Sequence, residues 1–251
     1  MNINKQTISS EPSSRKLAIT VGTLYLITHV TSIGAFALYE PVLNHTGYIV
    51  GSGSDTQVLI GVLFEIILTL AVVGTAVTLF PVMKRWNEGV ALGYVGLRTI
   101  EAGIIAVGVI PLLGVVTLRQ QMVDTVGADP AALMTVSSVL VALYQWTVLL
   151  GPGLVCGTNT VLMAYLMYRS RLVPRFIPVL GLVGGPLIFI VNAAKMFGFV
   201  EQNTSLLLIA VVPIFAWEVS LALWLILKGF KQSATTSELD KSAANLLMNT
   251  M

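Results

Sequence analysis

The chain of 251 residues is 55% hydrophobic and only 10% charged, with a net charge of +2 and a mean hydropathy of +0.86. A soluble domain carries about 25% charged residues and cannot bury so much apolar surface at this size. The composition therefore excludes a soluble enzyme, a disordered chain and a disulfide scaffold, and it predicts an integral membrane protein.

A membrane-spanning helix needs about 20 mostly apolar residues, and several segments of the sequence meet this requirement. In chain order they cover residues 17–39, 56–80, 89–118, 130–168, 176–199 and 206–227. The sequence thus predicts an all-α, polytopic membrane helix bundle over residues 15–231. Residues 1–14 and 232–251 are predicted to be flexible cytoplasmic ends.

The fourth segment, 130–168, is too long for one ordinary span, and Gly151-Pro152-Gly153 interrupts it. It could form two spans or one long kinked helix. With six spans and both termini inside, eleven Lys and Arg residues are cytoplasmic and only Arg119 is outside; with seven spans the split becomes 5 to 7. The positive-inside rule therefore favours six spans and a long kinked fourth helix. That helix would form an outer hairpin with the third, near residues 115–135; the alternative is an interfacial or re-entrant helix over 130–150.

Several ionisable residues fall inside the predicted spans, where each charge costs at least about 2.5–3.5 kcal/mol at the bilayer centre unless it is paired. Counting residues from the predicted cytoplasmic ends places them in two polar layers. The layer near the midplane contains Arg98, Glu101, Glu218, His29 and Asn159. The layer further out contains Glu65, Lys195 and Asn192.

Two interpretations of these layers stay open. Arg98 and Glu101 are three residues apart and share a helix face, and a guanidinium can bridge them to Glu218. The group is either a substrate, ion or proton site, or a neutralised staple that fixes helix register. For Glu65 and Lys195 the staple is favoured, with Lys195 also able to reach the interface. His29 alone is more typical of a hydrogen-bonded core histidine.

Other motifs carry less information. Three Gly-x-x-x-Gly pairs predict close helix packing inside the bundle or, alternatively, a homo-oligomer interface. They are Gly89/Gly93, Gly153/Gly157 and Gly181/Gly185. The basic segment with Arg169, Arg171 and Arg175 could bind anionic lipid head groups or simply hold topology. Cys156 is the single cysteine. No catalytic, metal-binding, cofactor or nucleic-acid motif is present, so we expect no cofactor, no metal and no nucleic acid.

Several short motifs together resemble a known family. They are Gly22-x-Leu24-Tyr25-Leu26, Glu65, Leu79-Phe80-Pro81, Arg98-x-x-Glu101, Asn159, Tyr168-Arg169-Ser170-Arg171-Leu172-Val173-Pro174-Arg175, Glu218, Leu223-Trp224-Leu225 and Lys228-Gly229-Phe230. This pattern resembles the bacterial integral membrane family named domain of unknown function 4386. The resemblance covers residues 15–231 and implies a six-helix protein of the bacterial inner membrane, with no established activity.

Three function classes follow from these observations. The first is binding or transport of a small molecule, an ion or a proton at the midplane cluster. The second is a structural, accessory or regulatory membrane subunit. The third, an intramembrane enzyme, is the weakest, because nothing in the sequence marks a nucleophile or a metal site.

Overall fold

The computed structural model describes residues 11–45, 47–51, 53–122, 129–201 and 205–231. Over these residues the chain is helical and contains no strand, and six helices are long and apolar enough to cross a membrane. The predicted all-α membrane fold is therefore confirmed. The ends 1–10 and 232–251, and the turn of the predicted outer hairpin at 123–128, lie outside the described residues.

The elements follow one another with short connections. They are α1 (Glu11–Leu38), the short α2 (Glu40–Asn44), α3 (Asp55–Met83), α4 (Glu88–Met122), α5 (Pro130–Val148), a π-helical segment (Leu149–Val155), α6 (Cys156–Ser170), α7 (Phe176–Met196) and α8 (Ser205–Leu227). The starts of α3, α4 and α5 are capped by polar side chains, and Ser54 accepts from Gln57 N at the start of α3. The Asn87 side chain accepts from Val90 N at the start of α4, and Asp129 accepts from Ala131 N at the start of α5.

The fourth long helix is continuous from α5 through the π-helical segment to α6, as Pro130–Ser170. Pro152 lies inside the π-helical segment. Proline has no N–H to donate and its ring clashes with the preceding turn of a regular α-helix, which explains why the helix is irregular here. The predicted irregular centre of one long helix is thus present at Gly151-Pro152-Gly153. Because α5 packs on α4 along this continuous helix, the structure favours one long helix over a separate interfacial or re-entrant helix at 130–150.

The long helices form a ring, with α1 packed on α3, α3 on α4, α4 on the fourth helix, α6 on α7, α7 on α8, and α8 on α1. Arg15 near the start of α1 donates to the carbonyl oxygens of Leu225 and Ile226 at 3.1 and 2.6 Å. The start of α1 and the end of α8 therefore lie at the same end of the bundle, called here the termini end. A large apolar core fills that end and includes Tyr25, Met163 and Trp217.

The opposite end has its own core and a polar clasp. Val109, Leu112 and Val115 of α4 belong to this core, with residues of α1, α3 and α5. Arg119 pairs with Asp55 at the start of α3 and donates to Gly51 O at 3.0 Å. The outward surfaces of the helices carry exposed large hydrophobic side chains, which suits contact with a lipid bilayer.

The glycines of two predicted Gly-x-x-x-Gly pairs pack against other helices of the same chain. A Cβ on Gly185 would lie 2.7 Å from Gly157 O, and one on Gly157 would lie 2.8 Å from Gly185 O. Gly153 faces Asn192 and Gly181 faces Trp217 in the same way. These four buried glycines bring the π-helical segment, α6, α7 and α8 together within one chain, so they are not available for a homo-oligomer interface. Oligomerisation through the exposed pair Gly89/Gly93 stays a prediction.

We predict that Gly185→Ala destabilises the protein, although alanine is the better helix former. The added methyl group forces α6 and α7 apart, and overpacking of this kind costs about 1–3 kcal/mol. Gly96→Ala in α4 is the matched control, because its Cβ would meet nothing within 4 Å. Thermal unfolding in detergent should show a lower midpoint for Gly185→Ala only. Equal midpoints for the two variants would contradict this packing.

Candidate functional site

Arg98 lies on α4 in the middle of the bundle and is 3% exposed. Its Nη1 donates to Glu101 Oε2 at 2.9 Å, one helical turn further along the same face. The same Glu101 oxygen accepts from Asn159 Nδ2 on α6 at 2.7 Å. Arg98 and Glu101 therefore form a close, hydrogen-bonded ion pair, which compensates the two charges locally.

Glu218 on α8 is held much more loosely. Its Oε1 lies 3.9 Å from Arg98 Nη2, and its Oε2 lies 3.5 Å from His29 Nε2 on α1. Both distances exceed the roughly 2.7–2.9 Å of a charge-assisted hydrogen bond. Among the described residues Glu218 has no closer polar partner, although its side chain is only 13% exposed. The carboxylate is thus buried and not fully bonded.

His29 links this carboxylate to the backbone of α1. Its Nδ1 lies 2.9 Å from Tyr25 O, a carbonyl that can only accept, so Nδ1 carries a proton. In the neutral ring Nε2 is then an acceptor, and it faces another acceptor on Glu218. The contact becomes favourable only when the pair gains a further proton. His29 and Glu218 together therefore form a place where one positive charge, such as a proton, is stabilised.

A cavity of about 270 Å³ opens beside the cluster, and all six long helices contribute to its wall. Arg98, Glu101, Glu218 and His29 all line it. Among the described residues Arg98 Nε has no hydrogen-bond partner, although it is fully buried. An unsatisfied buried donor costs about 1–3 kcal/mol, so hydrogen bonding at the centre of the bundle is incomplete at Arg98 as well as at Glu218.

The structure adds residues that the sequence did not single out. The hydroxyl groups of Tyr25 and Tyr94 lie 3.0 Å apart, and the Tyr25 ring is 5.6 Å from the Arg98 guanidinium. Both tyrosines are fully buried in the termini-end core and close the bundle on that side of Arg98. The π-helical segment supplies Pro152 to the cavity wall, and Cys156 follows it. In the sequence, only the interruption at Gly151-Pro152-Gly153 indicated that this part of the fourth helix is unusual.

The predicted outer layer contains Glu65, Lys195 and Asn192. Glu65 is 7% exposed and accepts from Tyr39 at 3.1 Å and from Tyr144 at 2.9 Å. Lys195 lies in the last turn of α7, and the described part of the chain contains no ion pair between it and Glu65. Asn192 donates to Ile188 O within α7 at 2.8 Å. The structure thus gives Glu65 two tyrosine partners, and the predicted outer layer that it shares with Lys195 and Asn192 stays a prediction.

The three arginines of the basic segment lie at the termini end, near Leu172, whose carbonyl oxygen accepts from Lys231 N at 2.8 Å. Arg169 is 5.9 Å from the Tyr165 ring and Arg175 is 5.1 Å from the Tyr168 ring. Arg171 ends α6 in the left-handed conformation, with φ of 55°. All three are exposed, and their role toward lipid head groups stays a prediction.

Outside the spans, the polar clasp at the opposite end contains a residue with a shifted pKa, Tyr48. Tyr48 donates to Asp55 Oδ1 at 2.9 Å, and its ring is 4.6 Å from the Arg119 guanidinium. Burial, with the bond to Asp55, raises the pKa of Tyr48 to about 12. The phenol therefore stays protonated at neutral pH and keeps donating to Asp55. This arrangement fixes a loop and offers no open polar group comparable to Glu218.

Fold and cluster together define a multi-pass helical membrane protein with a charged group buried at the centre of its bundle. Comparison of sequences then gives the family. The family "domain of unknown function (DUF4386)" matches residues 20–229, so the chain belongs to it, as its motifs predicted. No curated protein and no solved structure matches the chain. Within the described residues, no group of three or more His, Cys, Asp or Glu side chains is placed to hold a metal ion.

Proposed function

We propose that this protein binds a small molecule, an ion or a proton in its central cavity, as a step in moving it across the membrane. The observation that carries the proposal is the state of Glu218. A buried carboxylate that serves only as a staple is expected to be fully hydrogen-bonded, as Glu65 is. Glu218 instead faces a cavity, with its nearest partners at 3.5 and 3.9 Å.

The shape of the bundle agrees with a site that is open on one side only. Toward the termini end, the cluster is followed by Tyr25, Tyr94 and Trp217, each 1% exposed. The cavity extends the other way, toward Ile105 on α4 and Val211 on α8. A site that is closed on one side and reachable from another is what alternating access across a membrane requires.

We also propose that both termini face the cytoplasm of a bacterium and that the bundle lies in its inner membrane. The termini end carries exposed basic residues such as Lys84, Arg85, Arg169 and Arg175, and the opposite end carries Arg119 in an ion pair. A green fluorescent protein fused to the C-terminus should therefore fluoresce in cells. A dark fusion, together with an active alkaline phosphatase fusion at the same site, would reverse the orientation.

Accessibility of the cavity tests the proposal directly. Cys156 lines the cavity and is the single cysteine of the chain, so it reports on small molecules that enter. We expect N-ethylmaleimide to alkylate it in native membranes, as measured by intact mass. Ser32→Trp, which fills the rim of the cavity, should slow the reaction, whereas Ala37→Trp on the same helix but outside the cavity should not.

A second reporter guards against a thiol that is accessible but slow to react. It is Thr28→Cys in a Cys156→Ser background, because Thr28 also lines the cavity. If neither thiol is alkylated in membranes while both are alkylated after denaturation, the cavity admits no solute. That outcome would contradict the proposed function and favour a structural or accessory role.

A further inference from the structure

The mouth of the cavity lies between the first and the last helix. Of the residues that line the cavity, the exposed ones are Ser32 and Ile33 on α1 and Val211 and Phe215 on α8. The lining residues of the other helices, such as Ile105, are buried or half-buried. The cavity therefore reaches the outer surface of the bundle at the α1–α8 seam.

The packing of these two helices explains why the seam is open at this point. Near the termini end they touch closely, since a Cβ on Gly22 would lie 2.6 Å from Ala222 O. Further along they are joined by the loose contact of His29 with Glu218. Pro213 lies inside α8 beyond this contact, and a proline there removes a backbone hydrogen bond and favours a bend.

The depth of the mouth says what it faces. Ser32 and Ile33 lie within the apolar span Ser14–Leu38, and Val211 and Phe215 lie within the span Ser205–Leu227. The neighbouring surface is apolar, with Phe36 71% and Val212 63% exposed. A mouth at this depth opens toward the acyl chains of the bilayer, so a molecule that enters through it needs an apolar part.

The charges at the base of the cavity determine which charge the polar group of such a molecule should carry. Arg98 pairs closely with Glu101 at 2.9 Å and only loosely with Glu218 at 3.9 Å, so the three side chains together carry one net negative charge when His29 is neutral. A second anion here would meet two carboxylates. A single positive charge satisfies Glu218 without the extra proton that the His29 pair otherwise needs. The Phe215 ring beside His29 adds a favourable surface for a cation.

We infer that the cavity takes a small amphiphilic amine with one positive charge, which enters from the bilayer between α1 and α8 and binds Glu218 through its ammonium group. This inference rests on the proposed function and names its ligand class. The remaining wall is largely apolar, with Leu68, Val72 and Ile188 among its buried residues, and it suits an alkyl or aromatic tail. A cavity of about 270 Å³ restricts the ligand to a small molecule.

Protection of the reporter thiol from N-ethylmaleimide tests this inference in lipid nanodiscs. The probe is N,N-dimethyloctylamine, which is protonated at pH 7 and does not add to the maleimide. Octanoate and 1-octanol are the matched anionic and neutral probes. At ten times its dissociation constant the amine should slow alkylation about tenfold, whereas octanoate should not protect.

Two carboxylate variants locate the effect. Glu218→Gln should weaken protection by the amine at least about tenfold, because the charge that binds the ammonium group is gone. Glu65→Gln, a buried carboxylate outside the cavity, should leave protection unchanged. The alkylation rate of each variant is compared with and without the amine, so a change in intrinsic thiol reactivity does not affect the measured protection.

The outcomes separate this inference from the proposed function. If the thiol is alkylated and the amine, octanoate and octanol protect it equally, the cavity admits solutes but does not select a cation, and the inference fails alone. Equal protection in wild type and Glu218→Gln would also overturn it. If the thiol is never alkylated in membranes, the proposed function fails with it.

Discussion

The cost of burying charge in a low-dielectric bundle is the constraint on which the rest of this structure depends. An ion taken out of water loses several kcal/mol unless a partner or hydrogen bonds compensate it. Arg98 and Glu101 meet this constraint through a close ion pair supported by Asn159. Glu65 meets it through two tyrosine hydroxyl groups. Glu218 meets it only in part, and this difference gives the cavity its chemistry.

The apolar cores lie on either side of that polar centre and determine how it can be reached. The core at the termini end packs Tyr25, Tyr94 and Trp217, each 1% exposed, and these side chains fill the bundle on that side of the polar centre. At the opposite end, α1, α3, α4 and α5 share a second core. Residues of α8 do not belong to that second core. The α1–α8 seam is consequently the one place in the described bundle where lining residues of the cavity are exposed.

Much of this architecture could be predicted from the sequence, because apolar length and basic-residue placement act directly on membrane insertion. Depth could also be predicted, since each helical residue rises 1.5 Å, and this grouped Arg98, Glu101 and Glu218 correctly. The partners of Glu65 could not be predicted, because Tyr39 and Tyr144 lie 26 and 79 residues away along the chain and no motif distinguishes them from the other tyrosines. Depth also grouped Lys195 with Glu65, but the hydrogen-bond partners of Glu65 are two tyrosines.

The central claim is that Glu218 is kept for a ligand and Glu65 for stability, and thermal unfolding of matched truncations tests it most directly. In Glu65→Ala, two buried hydroxyl groups lose their acceptor, which should cost about 1–3 kcal/mol and lower the unfolding midpoint clearly. In Glu218→Ala, a poorly compensated charge disappears from the edge of a cavity, so the midpoint should stay unchanged or rise. A fall in Glu218→Ala as large as that in Glu65→Ala would contradict the account and make the whole cluster a structural staple.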